Sequence, residues 1–87
     1  MKVENMTSAN GNKVANQFII RDGLKTVFQS YDSVIVENTK GNIKLDAKTW
    51  DCSVTTSKYR NIFLGENKKQ TQKKIDSGEY KLVNLNP

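Results

Sequence analysis

The stretch NQFIIRDGLKTVFQSY, residues 16–31, decides how this chain folds. Asp22-Gly23 stands between two β-prone runs, and Asp-Gly between such runs is a strong two-residue hairpin signal. Glycine supplies the positive φ and aspartate tolerates it. Residues 17–21 and 24–30 are therefore expected to pair antiparallel, with Phe18 and Ile20 on one face and Ile19 on the other. The next segment, DSVIVENTKGNIKLD (32–46), repeats the pattern. Its strands are expected at 33–37 and 42–46, around a turn that contains Gly41, and Ile43 and Leu45 alternate with Lys44 as in a half-exposed strand. Tyr31-Asp32-Ser33 separates the two hairpins, and together they predict a four-stranded antiparallel meander. Residues 1–15 are polar, contain Asn10-Gly11 and show no sustained periodicity. They read as a flexible N-terminal arm, which leaves residues 16–87 as one domain.

Beyond Trp50 the hydrophobic period changes from 2 to 3.6. Tyr59, Ile62 and Phe63 fall at i, i+3 and i+4, with Thr55 one turn earlier, and predict a helix whose core stripe they form. Ser53 is its expected N-cap and Gly65 its C-terminal stop. A second helix should open at Asn67, with Gln70 three residues on as the other half of a capping box, and end at Ser77-Gly78. Its apolar face is thin: Thr71, Ile75 and the stem of Lys68. The closing EYKLVNL (79–85) reads as a fifth strand that returns to the sheet. The expected order is ββββααβ, an α+β domain with two short helices on one face of the sheet.

Composition narrows the function. An 87-residue chain makes one domain with a small core, and 36% hydrophobic content is enough to fold it. With no histidine and a single cysteine, Cys52, neither histidine-dependent catalysis nor an intrachain disulfide is expected. No apolar run has the length of a membrane span and no signal-peptide pattern opens the chain, so a cytoplasmic protein is expected. Asp46 and Asp51 lack the spacing of a cation loop and read as a turn residue and a cap. Cys52, beside Trp50, reads as a packing residue rather than a thiol activated by a helix start. No Walker or Rossmann glycine pattern occurs, and neither an enzyme nor a cofactor is expected.

Charge gives the one positive indication. Between residues 58 and 74 lie Lys58, Arg60, Lys68, Lys69, Lys73 and Lys74, opposed only by Glu66. That local excess equals the net charge of the whole chain, +5. It favours an anionic partner, and nucleic-acid phosphate is the reading carried forward. Ser57, at the start of a helix with free N–H groups, joins the six cations as a candidate contact. The same charges also read as the solvated side of two ordinary helices. Most aromatics are needed for the core; Tyr31, among polar neighbours, is the one expected outside.

Three blocks, FQSYDSVIVEN, then W-D-x-S-x-T-T-S-K-Y-R-N-x-F-L-G, then SGEYKL, resemble a family of small, mostly uncharacterised proteins of bacteriophages and mobile plasmids. The likeness spans roughly residues 16–85 and is most specific in the Thr-Thr block. Cys52 stands where the resemblance implies an aromatic, a further argument against a catalytic thiol. The resemblance implies a phage or mobile-element origin and no particular activity. Small proteins of that origin often bind host machinery, so a protein-binding inhibitor or adaptor is the alternative to a nucleic-acid binder. A dimer is also compatible with the open sheet edge that a short last strand would leave.

Overall fold

The computed structural model describes residues 1–87. The expected hairpins are present inside a larger sheet. Strands β1 (Lys2–Thr7), β2 (Lys13–Asp22), β3 (Lys25–Ser30), β4 (Ser33–Thr39) and β5 (Asn42–Asp46) form an antiparallel meander. Two helices follow, α1 (Val54–Leu64) and α2 (Lys68–Asp76), and then β6 (Lys81–Val83). β6 pairs parallel to β5, so the sheet has six strands in sequential order. A parallel neighbour requires a crossover, and the two helices are that crossover.

The expected flexible arm is a strand. Residues 2–5 of β1 pair regularly with Phe18–Arg21 of β2, and Met6 is buried in the core. The pattern was hard to read because only Met6 of this strand is fully enclosed. Opposite Asn5–Thr7, β2 bulges, with Asn16 in the left-handed region at φ 65°. The Asn5 amide spans the irregularity and donates to the Val14 carbonyl at 3.0 Å. β2 therefore starts at Lys13, four residues earlier than its hydrophobic run suggests.

Hairpin registers are tighter than the turn signals implied. Asp22 pairs with Lys25, so the two-residue loop is Gly23-Leu24 rather than Asp22-Gly23. Gly23 has φ 62° and Leu24 does not have positive φ, the arrangement in which glycine takes the first loop position. Lys40-Gly41 likewise forms a two-residue loop between Thr39 and Asn42. The β3–β4 ladder shifts register after Phe28, which faces Val36 while Gln29 faces Val34. The extra residue, Ile35, lets two consecutive side chains reach the core, since Ile35 and Val36 are both buried.

The core lies between one sheet face and the helices. Phe28, Ile35, Val36 and Leu45 supply the sheet side; Tyr59, Phe63, Leu64 and Ile75 pack from the helices. Phe28 and Phe63 stack with ring centroids 5.9 Å apart. Both helices end as expected. The Ser53 hydroxyl accepts from Thr56 N–H at 3.1 Å, and Gly65 closes α1 in the left-handed region at φ 69°. Asn67 and Gln70 form the complete capping box of α2.

The inner stripe of α1 is corrected. Thr56, Tyr59 and Arg60 are its buried residues, with Phe63 partly buried on the same face. Thr55 is exposed and Ile62 is 53% exposed. The face is rotated because the Thr56 hydroxyl reaches the Ser30 hydroxyl of β3 at 3.0 Å, and the Arg60 side chain runs inward behind it. An arginine at an inner position is invisible to a hydrophobic-periodicity argument. Substitution separates the two stripes: Ile35→Ala should cost about 2–5 kcal/mol in urea denaturation, whereas Ile62→Ala should cost about 1 kcal/mol or less. Equal losses would return Ile62 to the core.

Candidate functional site

Of the seven residues expected to contact an anion, four are engaged by partners within the protein. Arg60 is 0% exposed. Its guanidinium donates through Nη1 to the Trp50 carbonyl and to Asp51 Oδ1 at 3.2 Å, and through Nη2 to Asn61 Oδ1 at 2.9 Å. The same group lies over the Trp50 ring, 5.1 Å from its centroid. Ser57 donates to Asp51 Oδ1 at 2.7 Å. Lys68, at the start of α2, pairs with Asp51 Oδ2 at 2.6 Å. Asp51 is thus no helix cap; it ties the segment before α1 to both helices.

Glu66 is a second hub, in the turn between the helices. Its side chain is 5% exposed, and the carboxylate accepts from Lys74 Nζ at 2.8 Å, from the Tyr80 hydroxyl at 2.8 Å and from the Thr71 hydroxyl. This links α2 to the residue before β6. Burial would push the Glu66 carboxyl up, but hydrogen bonds from Lys74, Thr71 and Tyr80 hold it below the ordinary range. The bond to Glu66 raises the Lys74 ammonium, with Tyr80 adding to it. Neither group is available to a ligand without breaking the link.

Three candidates remain at the surface. Lys58 projects from α1 with its ammonium 5.5 Å from the Tyr59 ring centroid. Lys69 and Lys73, one turn apart, are exposed on α2. None of the three enters an ion pair. Both carboxylates between residues 51 and 75 are already taken, so the charges left unpaired in that interval are all positive.

Other expectations fall differently. Cys52 is exposed ahead of α1 rather than packed against Trp50. Asp46 is a turn residue as expected: its carboxylate accepts from the Lys48, Thr49 and Leu85 backbone N–H groups. Tyr31 is exposed at the β3–β4 turn. No helix is long and apolar enough to cross a membrane.

A groove escaped the sequence reading. Met6, Ile19, Ile43, Phe63 and Leu64, with Ile62 at the rim, form the apolar part of an open hollow of about 320 Å³ between the sheet and the C-terminal half of α1, and Arg21, Thr26 and Asn38 form its polar part. It adjoins a second hollow of about 250 Å³ along β1, with which it shares Met6, Ile19, Arg21 and Ile62. The signal was masked twice, because Met6 lay in the supposed arm and Ile62 in the supposed core.

Fold and surface define a small α+β protein: a six-stranded sheet, one face covered by a cationic helix pair that leaves a partly apolar groove open beside it. The chain belongs to the family of unknown function DUF8033, whose model matches residues 1–79. The match includes β1, in agreement with that segment being part of the fold. No curated protein and no solved structure matches the chain.

The Asp51 hub makes a pH-dependent prediction. Burial alone would raise this carboxyl, but hydrogen bonds from Lys68, Ser57 and Arg60, together with the Lys68 charge, lower it from 3.8 to about 2. A depressed folded-state pKa contributes stability that is complete above the unfolded value and is lost as the pH falls through the folded one. Melting temperature should therefore drop between pH 3.8 and about 2 more steeply in the wild type than in Asp51→Asn. At neutral pH that variant should be less stable by roughly 2 kcal/mol, between surface and buried ion-pair values.

Proposed function

We propose that this is a small non-enzymatic accessory protein of phage or mobile-element type. It acts in the host cytoplasm and binds nucleic-acid phosphates through the outer faces of α1 and α2. The observation that carries this reading is the sign of the unpaired charge: Lys58, Lys69 and Lys73 are exposed, and no free carboxylate lies between them in the sequence. A surface of this kind attracts a polyanion without reading bases, because phosphate contacts position a protein while base-edge contacts specify sequence. Ser57, Arg60, Lys68 and Lys74 support it from within. They fix the two helices against each other and against the sheet, and so set where the free lysines stand.

The contact is a modest one. Three phosphate contacts correspond to a slope of log K against log salt of roughly −2.7 on duplex DNA, about half of what six would give. Titration of labelled single- and double-stranded DNA and RNA at several salt concentrations measures it. Lys69→Glu with Lys73→Glu should weaken binding by about tenfold or more and flatten the slope by roughly two contacts. An unchanged slope would remove α2 from the interface, and absence of binding at about 50 mM salt would end the phosphate reading.

The apolar groove favours a second reading, a protein-binding inhibitor or adaptor of host machinery. Recognition would then rest on a few apolar anchors around Ile62 instead of on the lysines. Ile62→Asn separates the two readings: it should abolish capture of a protein partner and leave phosphate binding within about twofold, since it puts no charge beside Lys58, one turn away on α1.

A further inference from the structure

The edge of the sheet carries an inference beyond the helices. β1 pairs only with β2, so its outer side presents unpaired backbone groups along the strand. The opposite edge, β6, is only three residues long. On the helix side of the sheet, Lys2 stands directly across from Arg21. Like charges directly opposed in a ladder are unfavourable. Glu4 offsets them in part, with its carboxylate on Arg21 Nε at 3.0 Å. On the other side Val3 is 53% exposed.

We propose that β1 is the pairing surface for a second copy of this chain, the two strands meeting antiparallel about a two-fold axis at Val3, with Lys2 of each copy opposite Glu4 of the other. Symmetry selects this register. A two-fold axis that joins two identical edges side by side is perpendicular to the sheet and must pass between identical residues. Centred on Lys2, the register sets lysine against lysine; centred on Glu4, it sets glutamate against glutamate. Centred on Asn5, it runs past the point where regular pairing with β2 ends. Centred on Val3, it brings both pairs of opposite charges together, joins the two exposed valines and stays within the regular stretch. Each Lys2 then lies between Arg21 of its own β2 and a carboxylate of the second copy. The like-charge pair becomes part of an alternating row. Both helix layers fall on the same side of a continuous twelve-stranded sheet.

The contact is small, so the full chain should associate with a Kd in the micromolar range. Sedimentation equilibrium from about 1 μM to about 1 mM should show the mass rising from 9.9 kDa toward twice that value. Glu4→Lys opposes lysine to lysine and Lys2→Glu opposes glutamate to glutamate, so each variant alone should dimerise about tenfold or more weakly. An equimolar mixture of the two should recover dimer, because the mixed pair restores both attractions. The circular dichroism melting curve of each variant confirms that it is folded. A wild type that stays monomeric throughout the range overturns the proposal. So do variants that dimerise as well as wild type, and so does a mixture that remains monomeric.

Discussion

A guanidinium completely enclosed in a protein must have its charge met and its donors occupied, and in this molecule that requirement falls on Arg60. Its neighbours meet the charge and occupy both terminal nitrogens, leaving only Nε without a protein partner. The chain before α1 turns so that the Trp50 carbonyl and the Asp51 carboxylate face Nη1, and Asn61 folds back onto Nη2. Asp51 in turn takes Ser57 and Lys68, which brings the first residue of α2 to the entrance of α1. Glu66 repeats the device on a smaller scale, joining α2 to Tyr80 just before β6. The short helices are held by these two carboxylates as well as by the packing of Tyr59, Phe63, Leu64 and Ile75.

The helix layer therefore has two characters. Toward its N-terminus, α1 meets the sheet through the Thr56 and Ser30 hydroxyls, beside a buried Gln17 whose amide atoms have no protein partner. Toward its C-terminus it meets the sheet through Phe63 and Leu64, and the stacked Phe28 anchors that end. The apolar end is also where the layer stops short. Six strands are wider than two short helices can cover, and at the β1–β2 side the half-buried Ile19 lines a groove whose floor is the buried Met6.

The same accounting explains the distribution of surface charge. A basic run of six cations looks uniform along the chain, yet half of it is spent on internal carboxylates. The remaining lysines keep the sign of the surface and reduce its strength. A phosphate-binding reading built on them is necessarily one of weak, nonspecific contact. An apolar partner would instead meet the molecule beside α1, near the edge strand.

Much of this protein was settled by local sequence. The turn residues around Gly23 and Gly41, the alternation in residues 42–46, the Ser53 and Asn67 caps and the Gly65 stop are encoded within a few residues, because backbone conformation and terminal hydrogen bonds are local matters. β1 was not legible, since its order comes from pairing with a strand some dozen residues away and only Met6 is fully buried. The direction of Arg60 was not legible either. Whether an arginine faces solvent or the interior depends on a carboxylate and a carbonyl nine and ten residues distant, and only the packed helices bring them to the same point. Composition alone established that the surface is basic. Which lysines are free to act was decided by the tertiary structure, because an ion pair is a property of two positions in space and not of one position in the chain.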